Sequence, residues 1–238
     1  MKEEKVKYDK QVTRAVKQIA QDRGADLVGI ASVERFKEAP KGHRPTDILP
    51  EAKSVIVVGR RILDSVMEQL DNPSMRMTWH HHMYAHLNAL NSVLCYEIAA
   101  FLEQKGYWAI PVQPTTPYYK DKFFGVSSHR HAAVAAGLGV FGMSNLVLTP
   151  QFGPRVRWDQ VITSAYLVPN PLLEENLCRE CFTCRQSCPV QAWDVEGNFN
   201  KAVCAFYMKW DRKTQVCYEP CGLCIKVCPV GRDRVDLQ

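Results

Sequence analysis

Twelve residues, CRECFTCRQSCP at positions 178–189, constrain this chain more than any other stretch. They set Cys178, Cys181, Cys184 and Cys188 in a C-x2-C-x2-C-x3-C run closed by Pro189. A shorter echo, CGLCIKVCP, sets Cys221, Cys224 and Cys228 in C-x2-C-x3-C before Pro229. This is the bacterial iron–sulfur pattern. Three thiolates two residues apart can curl around one face of a cubane, and the fourth, held before a proline, points to the other cluster. The spacing therefore predicts two 4Fe-4S clusters. The first takes Cys178, Cys181, Cys184 and Cys228; the second takes Cys188, Cys221, Cys224 and one further thiolate.

Two simpler readings compete. A structural zinc site shows two separated C-x2-C pairs without the C-x2-C-x2-C-x3-C-P run. Disulfides need an oxidising compartment, and the N-terminus, MKEEKVKYDK, is charged and lacks the apolar run of an export signal. For the eighth ligand, Cys217 stands one residue from the regular ferredoxin position, and Cys204 would reach the cluster as an isolated thiolate in AVCAFYMKW. Spacing alone leaves both open.

Nine of the ten cysteines fall between 178 and 228, which marks the last quarter as a metal domain on a thiol-poor scaffold. The formal charge of +5 overstates the loaded protein, because each oxidised cluster with its four thiolates carries roughly −2. The charge balance then gives no ground for nucleic acid as a partner. No apolar stretch is long enough to span a membrane. A cytoplasmic protein of an anaerobic or low-oxygen setting is expected, since exposed clusters survive best there.

Upstream, residues 8–23 read as an amphipathic helix carrying Val12, Val16, Ile19 and Ala20, ended by Gly24. Asp26–Ser32 and Ser54–Gly59 read as buried strands, and residues 35–51, with three prolines, as a loop. A helix is predicted from about 79 to 105, with Met83, Leu87, Leu90, Leu94, Ile98 and Phe101 inward and Cys95 as an inert core thiol. His82 and His86 share a face of that helix, but no carboxylate or cysteine joins them. Trp108–Val112 reads as an edge strand because of Pro111. The aromatic stretch 113–128 reads as a functional loop. A short helix over His131–Ala136, strands at Leu146–Thr149 and Gln160–Val168, and a Pro169–Pro171 linker complete the scaffold.

Gly137, Gly139 and Gly142 match G-x-G-x-x-G, with Asp159 about twenty residues on. The context is wrong for a dinucleotide site, which follows a strand and opens a helix. Here AAVAA precedes and a strand-like LVLTP follows. The glycines are expected instead to permit sharp turns or close approach to a bulky ligand.

From about residue 8 onward the chain resembles the superfamily of epoxyqueuosine reductases and reductive dehalogenases. The resemblance rests on AGLG-x-x-G, L-x-P-x-F-G and T between Ala136 and Thr163, and on the cysteine run. It implies an α/β (α+β) fold: a nitroreductase-like sheet core flanked by helices, residues 1–170, holding cobalamin, followed by a ferredoxin-like domain with two 4Fe-4S clusters, residues 171–238. It also implies Cys204 as the eighth ligand, leaving Cys217 spare. Two departures stand out. The acid that the epoxyqueuosine reductases carry ahead of AGLG is missing between Lys122 and Gly137, and their basic residue after the last glycine is Met143. Neither the tRNA-binding extension of that group nor the twin-arginine leader of exported dehalogenases is recognisable.

The expected function is a corrinoid-dependent reductase that receives electrons from a ferredoxin or flavodoxin and passes them through the clusters to cobalamin. Its substrate would be a small molecule. The alternative is a non-enzymatic electron carrier without cobalamin, serving a partner corrinoid protein. Tyr118, Tyr119, His129 and His131 are the candidate proton donors. Gly137, Gly139, Gly142, Ser144, Asn145, Phe152 and Gly153 are the candidate cobalamin contacts. Anaerobically purified protein is expected to hold about eight irons and eight sulfides per chain; zinc without sulfide would overturn the cluster assignment.

Overall fold

A computed structural model describes residues 7–114, 125–207 and 221–232. In chain order the main elements are α1 (Lys10–Asp22), β1 (Leu27–Ser32), β2 (Ser54–Arg61), α2 (Asp64–Glu68), a π-helix (Trp79–His86), α3 (Leu87–Gln104), β3 (Ala109–Val112), α4 (His129–Ala135), β4 (Val140–Phe141), β5 (Val147–Leu148), β6 (Val156–Thr163), α5 (Thr183–Gln186), α6 (Lys201–Tyr207) and α7 (Leu223–Lys226). They gather into two compact units, each built from three stretches. The first is Met1–Arg60, Asn88–Leu138 and Trp158–Leu173; the second is Arg61–Leu87, Gly139–Arg157 and Glu174–Gln238.

The first unit is organised by a four-stranded sheet in the order β1-β2-β6-β3. β1 runs antiparallel to β2, pairing Leu27 with Gly59 and Ser32 with Ser54, and β3 runs antiparallel to β6, pairing Pro111 with Val161. The Lys53 amide bonds the Thr163 carbonyl and the Ile62 amide the Arg155 carbonyl, so β2 and β6 also run in opposite directions. Pro111, which cannot donate to a ladder, sits in an edge strand as its chemistry requires. Ser54–Gly59 of β2 is buried at every position, the mark of a strand covered on both faces. Val12, Val16 and Ala20 of α1 and Leu94, Ile98 and Leu102 of α3 pack with Ile30, Ile56 and Val161 of the sheet.

The predicted helix 79–105 is two elements. Its first eight residues are wound as a π-helix, a form concentrated at functional sites. Leu94 and Ile98 are buried as the pattern predicts. Asn91, not Leu90, faces inward, and Leu90 and Val93 are exposed. The loop expected over 35–51 contains a short helix, Pro45–Ile48, because Pro45 stands at its first turn, where a missing amide costs nothing. β6 begins four residues before the predicted Gln160 and ends at Thr163.

In the second unit, Ile62, Met67, Leu70, Trp79 and Met83 form a small apolar cluster, with Ile225 of α7 against it. β4 and β5 form a two-stranded antiparallel hairpin. No helix among the described residues is long and apolar enough to cross a membrane.

Asp9 caps α1: its carboxylate accepts from the Val12 amide at 2.9 Å and from the Tyr107 hydroxyl at 3.0 Å. The Val12 amide, more than the tyrosine, holds the Asp9 carboxyl below its ordinary range. Asp9→Ala is expected to cost about 1 kcal/mol, typical of a lost cap, and to lower the melting temperature at pH 7. A carboxyl depressed in the folded state stabilises only while ionised. The gap between wild type and variant should therefore close as pH falls through the folded value; a gap that persists in acid would contradict the assignment.

Candidate metal centre

The first cysteine motif curls by unusual backbone. Glu180 has φ 48° and Phe182 φ 57°, both left-handed without being glycine. Such conformations are costly and persist where the surroundings demand them. Here they turn the chain between successive C-x2-C thiols, so that Cys178, Cys181 and Cys184 face one space. Cys228, from the second motif, lines the same pocket, with Met143, Ser144 and Leu148 on its wall. Each of the four sulfurs has a donor nearby. The Met143 amide reaches Cys178 Sγ at 3.5 Å, and the Thr183 hydroxyl reaches Cys181 Sγ at 3.3 Å. The amides of Arg185 and Val230 serve Cys184 and Cys228. The Thr183 hydroxyl holds the Cys181 thiol below its usual range. Burial pushes Cys184 up, reinforced by Cys228, Cys178 and Cys181.

The remaining thiols form a second neighbourhood. Burial pushes the Cys224 thiol far up, and Cys221, Cys204, Cys184 and Cys188 add to it in that order. The Ala192 amide donates to Cys188 Sγ at 3.4 Å. Cys204, on α6, thus lies near Cys224, as do Cys221, Cys184 and Cys188; Cys217 lies outside the described residues. The Trp79 indole donates to the Cys221 carbonyl at 3.1 Å, fastening the second motif to the π-helix.

Among the described residues no three His, Cys, Asp or Glu side chains converge as the ligands of one metal ion. A cubane carries its irons at separate corners and spreads its thiolates around a cage. Two sets of thiols, without carboxylate or imidazole, fit a cluster by donor chemistry.

The second motif is held by Arg155, just before β6 and 1% exposed. Its guanidinium donates to the carbonyls of Val230 (3.2 Å), Lys226 (3.2 Å) and Cys228 (3.1 Å) and pairs with the Asp64 carboxylate at 3.1 Å. No sequence motif marks it: Arg155 directly precedes β6, a strand that itself carries Arg157 and Asp159.

The candidate cobalamin contacts have local duties. A Cβ on Gly137 would collide with the Pro171 carbonyl, on Gly139 with the Leu148 carbonyl, on Gly142 with the Leu148 side chain, and on Gly153 with the Val230 carbonyl. Close approach at these glycines is made by the chain's own atoms. Asn145, at φ 58°, turns the β4–β5 hairpin. The Phe152 amide bonds the Thr149 hydroxyl, and Ser144 is buried on the thiol-lined pocket. The Gly137–Gly142 run follows α4 and enters that hairpin, so it is no dinucleotide fingerprint.

Of the candidate proton donors, Tyr118 and Tyr119 lie outside the described residues. His131 is exposed, its Nδ1 2.7 Å from Ser128 Oγ. His129 is mostly buried in the first unit, with Nδ1 3.9 Å from Asp159 Oδ1. Asp159, itself buried, accepts from Ser92 Oγ at 3.1 Å and from the Gln160 amide at 2.8 Å. Burial and then Asp159 push the Cys95 thiol well up, as befits an unreactive core thiol. An acid is therefore present beside His129, supplied from β6 rather than from the segment before AGLG. His82 and His86 touch at 3.3 Å on the exposed face of the π-helix.

No protein-family model matches the chain. The tetrachloroethene reductive dehalogenase of Sulfurospirillum multivorans is 27% identical over 94% of the chain and 51% of its own length. The epoxyqueuosine reductase of Staphylococcus aureus is 29% identical over 57% of the chain and 36% of its own length. The chain is a relative of both enzyme groups. It spans about half, or less, of the length of these two relatives. Solved structures agree in fold. A B12-dependent reductive dehalogenase superposes with TM-score 0.68 at 19% identity, over 99% of the chain and 34% of its own. An epoxyqueuosine reductase bound to a tRNA-Tyr stem loop superposes with TM-score 0.61 at 18% identity, over 93% of the chain and 65% of its own. The mixed α/β fold with an antiparallel sheet is thus that of these relatives.

Cys204→Ala is expected to lose one cluster or convert it to a three-iron form, while Cys217→Ala keeps both. Electron paramagnetic resonance and iron analysis would read this; the reverse pattern would return the eighth place to Cys217.

Proposed function

We infer that this chain is an iron–sulfur reductase of the corrinoid-dependent kind. The observation that carries the iron–sulfur part is the pocket that Cys228 of the second motif lines together with Cys178, Cys181 and Cys184 of the first. Cys178, Cys181, Cys184 and Cys228 would hold one 4Fe-4S cluster, and Cys188, Cys204, Cys221 and Cys224 the other. When bound, the clusters supply single electrons and a corrinoid supplies a strongly reducing cobalt. The protein supplies what surrounds them. Amides and a hydroxyl directed at the sulfurs stabilise the added negative charge of the reduced state. Residues 1–170 would form the corrinoid-binding domain and 171–238 the cluster domain, in a cytoplasmic protein fed by a ferredoxin or flavodoxin.

His129 is the proton donor that the geometry favours. A protonated imidazole can pair with Asp159, and Asp159 is held by Ser92 and the Gln160 amide. The corrinoid is supported by similarity to the B12-dependent dehalogenase. The electron-carrier reading has one observation in its favour: the glycines expected to approach a macrocycle are approached by the chain's own atoms, carbonyls at Gly137, Gly139 and Gly153 and the Leu148 side chain at Gly142. Nucleic acid re-enters as a substrate class because a similar reductase binds a tRNA stem loop, a possibility that net charge alone had set aside.

Anaerobic reconstitution of the cluster-loaded protein with cobalamin, followed by absorption and electron paramagnetic resonance spectroscopy, tests the proposal. Stoichiometric retention of base-off cobalamin is expected. Loaded clusters with no retained corrinoid would establish the carrier instead. Binding of the loaded protein to a tRNA stem loop or to small halogenated substrates then separates the substrate classes.

A further inference from the structure

Arg155 donates to three carbonyls, those of Lys226, Cys228 and Val230, more than the two N–H groups of a neutral side-chain amide could serve. It does so at the expense of burying an ion. A guanidinium also stays protonated at any working pH, so its charge does not vary. The charged groups that act on it are Asp64, paired at 3.1 Å, with Glu68 and Arg232 beyond. Glu68 and Arg232 are paired with each other at 2.6 Å and largely cancel. What remains is a buried cation with Asp64 on one side and the peptide of Cys228 on the other.

We propose that Arg155 sets the reduction potential of the cluster held by Cys178, Cys181, Cys184 and Cys228, with Asp64 as the opposing control. The proposal rests on the iron–sulfur reading above. Reduction adds one electron to the cluster and no proton, so the reduced state is more negative by one charge. A fixed cation behind Cys228 stabilises that state and raises the potential; a carboxylate on the far side of the guanidinium offsets part of the effect. Net charge and nearby hydrogen bonds are established levers on such potentials. The two residues must therefore act with opposite signs, which a role in packing alone would not produce.

The test is an anaerobic redox titration of the loaded protein, followed by electron paramagnetic resonance. The cluster of Cys188, Cys204, Cys221 and Cys224 serves as the internal reference. Arg155→Met, which keeps bulk and removes charge, is expected to lower the reduced-to-oxidised ratio of the first cluster at fixed potential by about tenfold. For a one-electron couple that is about 59 mV. Arg155→Lys should keep most of the wild-type potential, and Asp64→Asn should raise it. Shifts of the same sign in Arg155→Met and Asp64→Asn, or no shift in either, would overturn the proposal. Should Arg155→Met fail to load its cluster, Asp64→Asn decides alone: a rise supports the proposal, and an unchanged or lower potential refutes it. Wild-type protein without iron and sulfide would instead sink the underlying iron–sulfur reading.

Discussion

The second unit depends on one buried guanidinium. Arg155, just before β6, reaches the carbonyls of Lys226, Cys228 and Val230 and pairs with the Asp64 carboxylate. Without it, three carbonyls of the C-terminal motif would be buried without partners, each at a cost of about 1–3 kcal/mol. Gly153, two residues earlier, lets the backbone of Val230 lie directly against it. A strand end and its preceding turn thereby position a cysteine more than seventy residues away in sequence. Trp79 does the same for Cys221 from the π-helix. The thiols are arranged by contacts to their neighbours' carbonyls, which leaves the sulfurs themselves available.

The cysteine pattern was legible because cubane ligation would impose this spacing, and the structure does bring Cys228 onto the pocket of Cys178, Cys181 and Cys184. The sheet was nearly as legible. Burial on both faces leaves SVIVVG as an unbroken apolar run, and Pro111 can occupy only an edge. Other features leave no local trace. A π-turn arises from packing, so the helix pattern carried no sign of it, nor that Asn91 rather than Leu90 would be buried. Arg155 and Asp159 are charged residues in strand-forming surroundings, and only the fold reveals what each faces. At the glycines, sequence shows only that something approaches closely; in the structure the carbonyls of Pro171, Leu148 and Val230 and the Leu148 side chain do so.

The buried acid of the first unit comes from the sheet. The stretch from Lys122 to Gly137 has no carboxylate. Asp159 arrives beside His129 from the central part of the sheet, anchored by Ser92 and by the next amide in its own strand. A carboxylate held on a strand has less freedom than one on a loop, and its partner histidine is fixed at the start of α4. Rigid placement of this kind favours a precise distance over an adaptable one.

Each compact unit is gathered from three separate stretches of chain. No single cut releases either one, and no fusion joint could graft one of them elsewhere as a cassette. Synthesis faces the same condition. Once residues 1–100 have been made, both units have begun, and the first cannot close until β6 and the segment to Leu173 follow. Folding must wait for contacts distant in sequence, which is slow. Both cysteine motifs follow every stretch of the first unit, so the second unit is completed after the first has all of its chain.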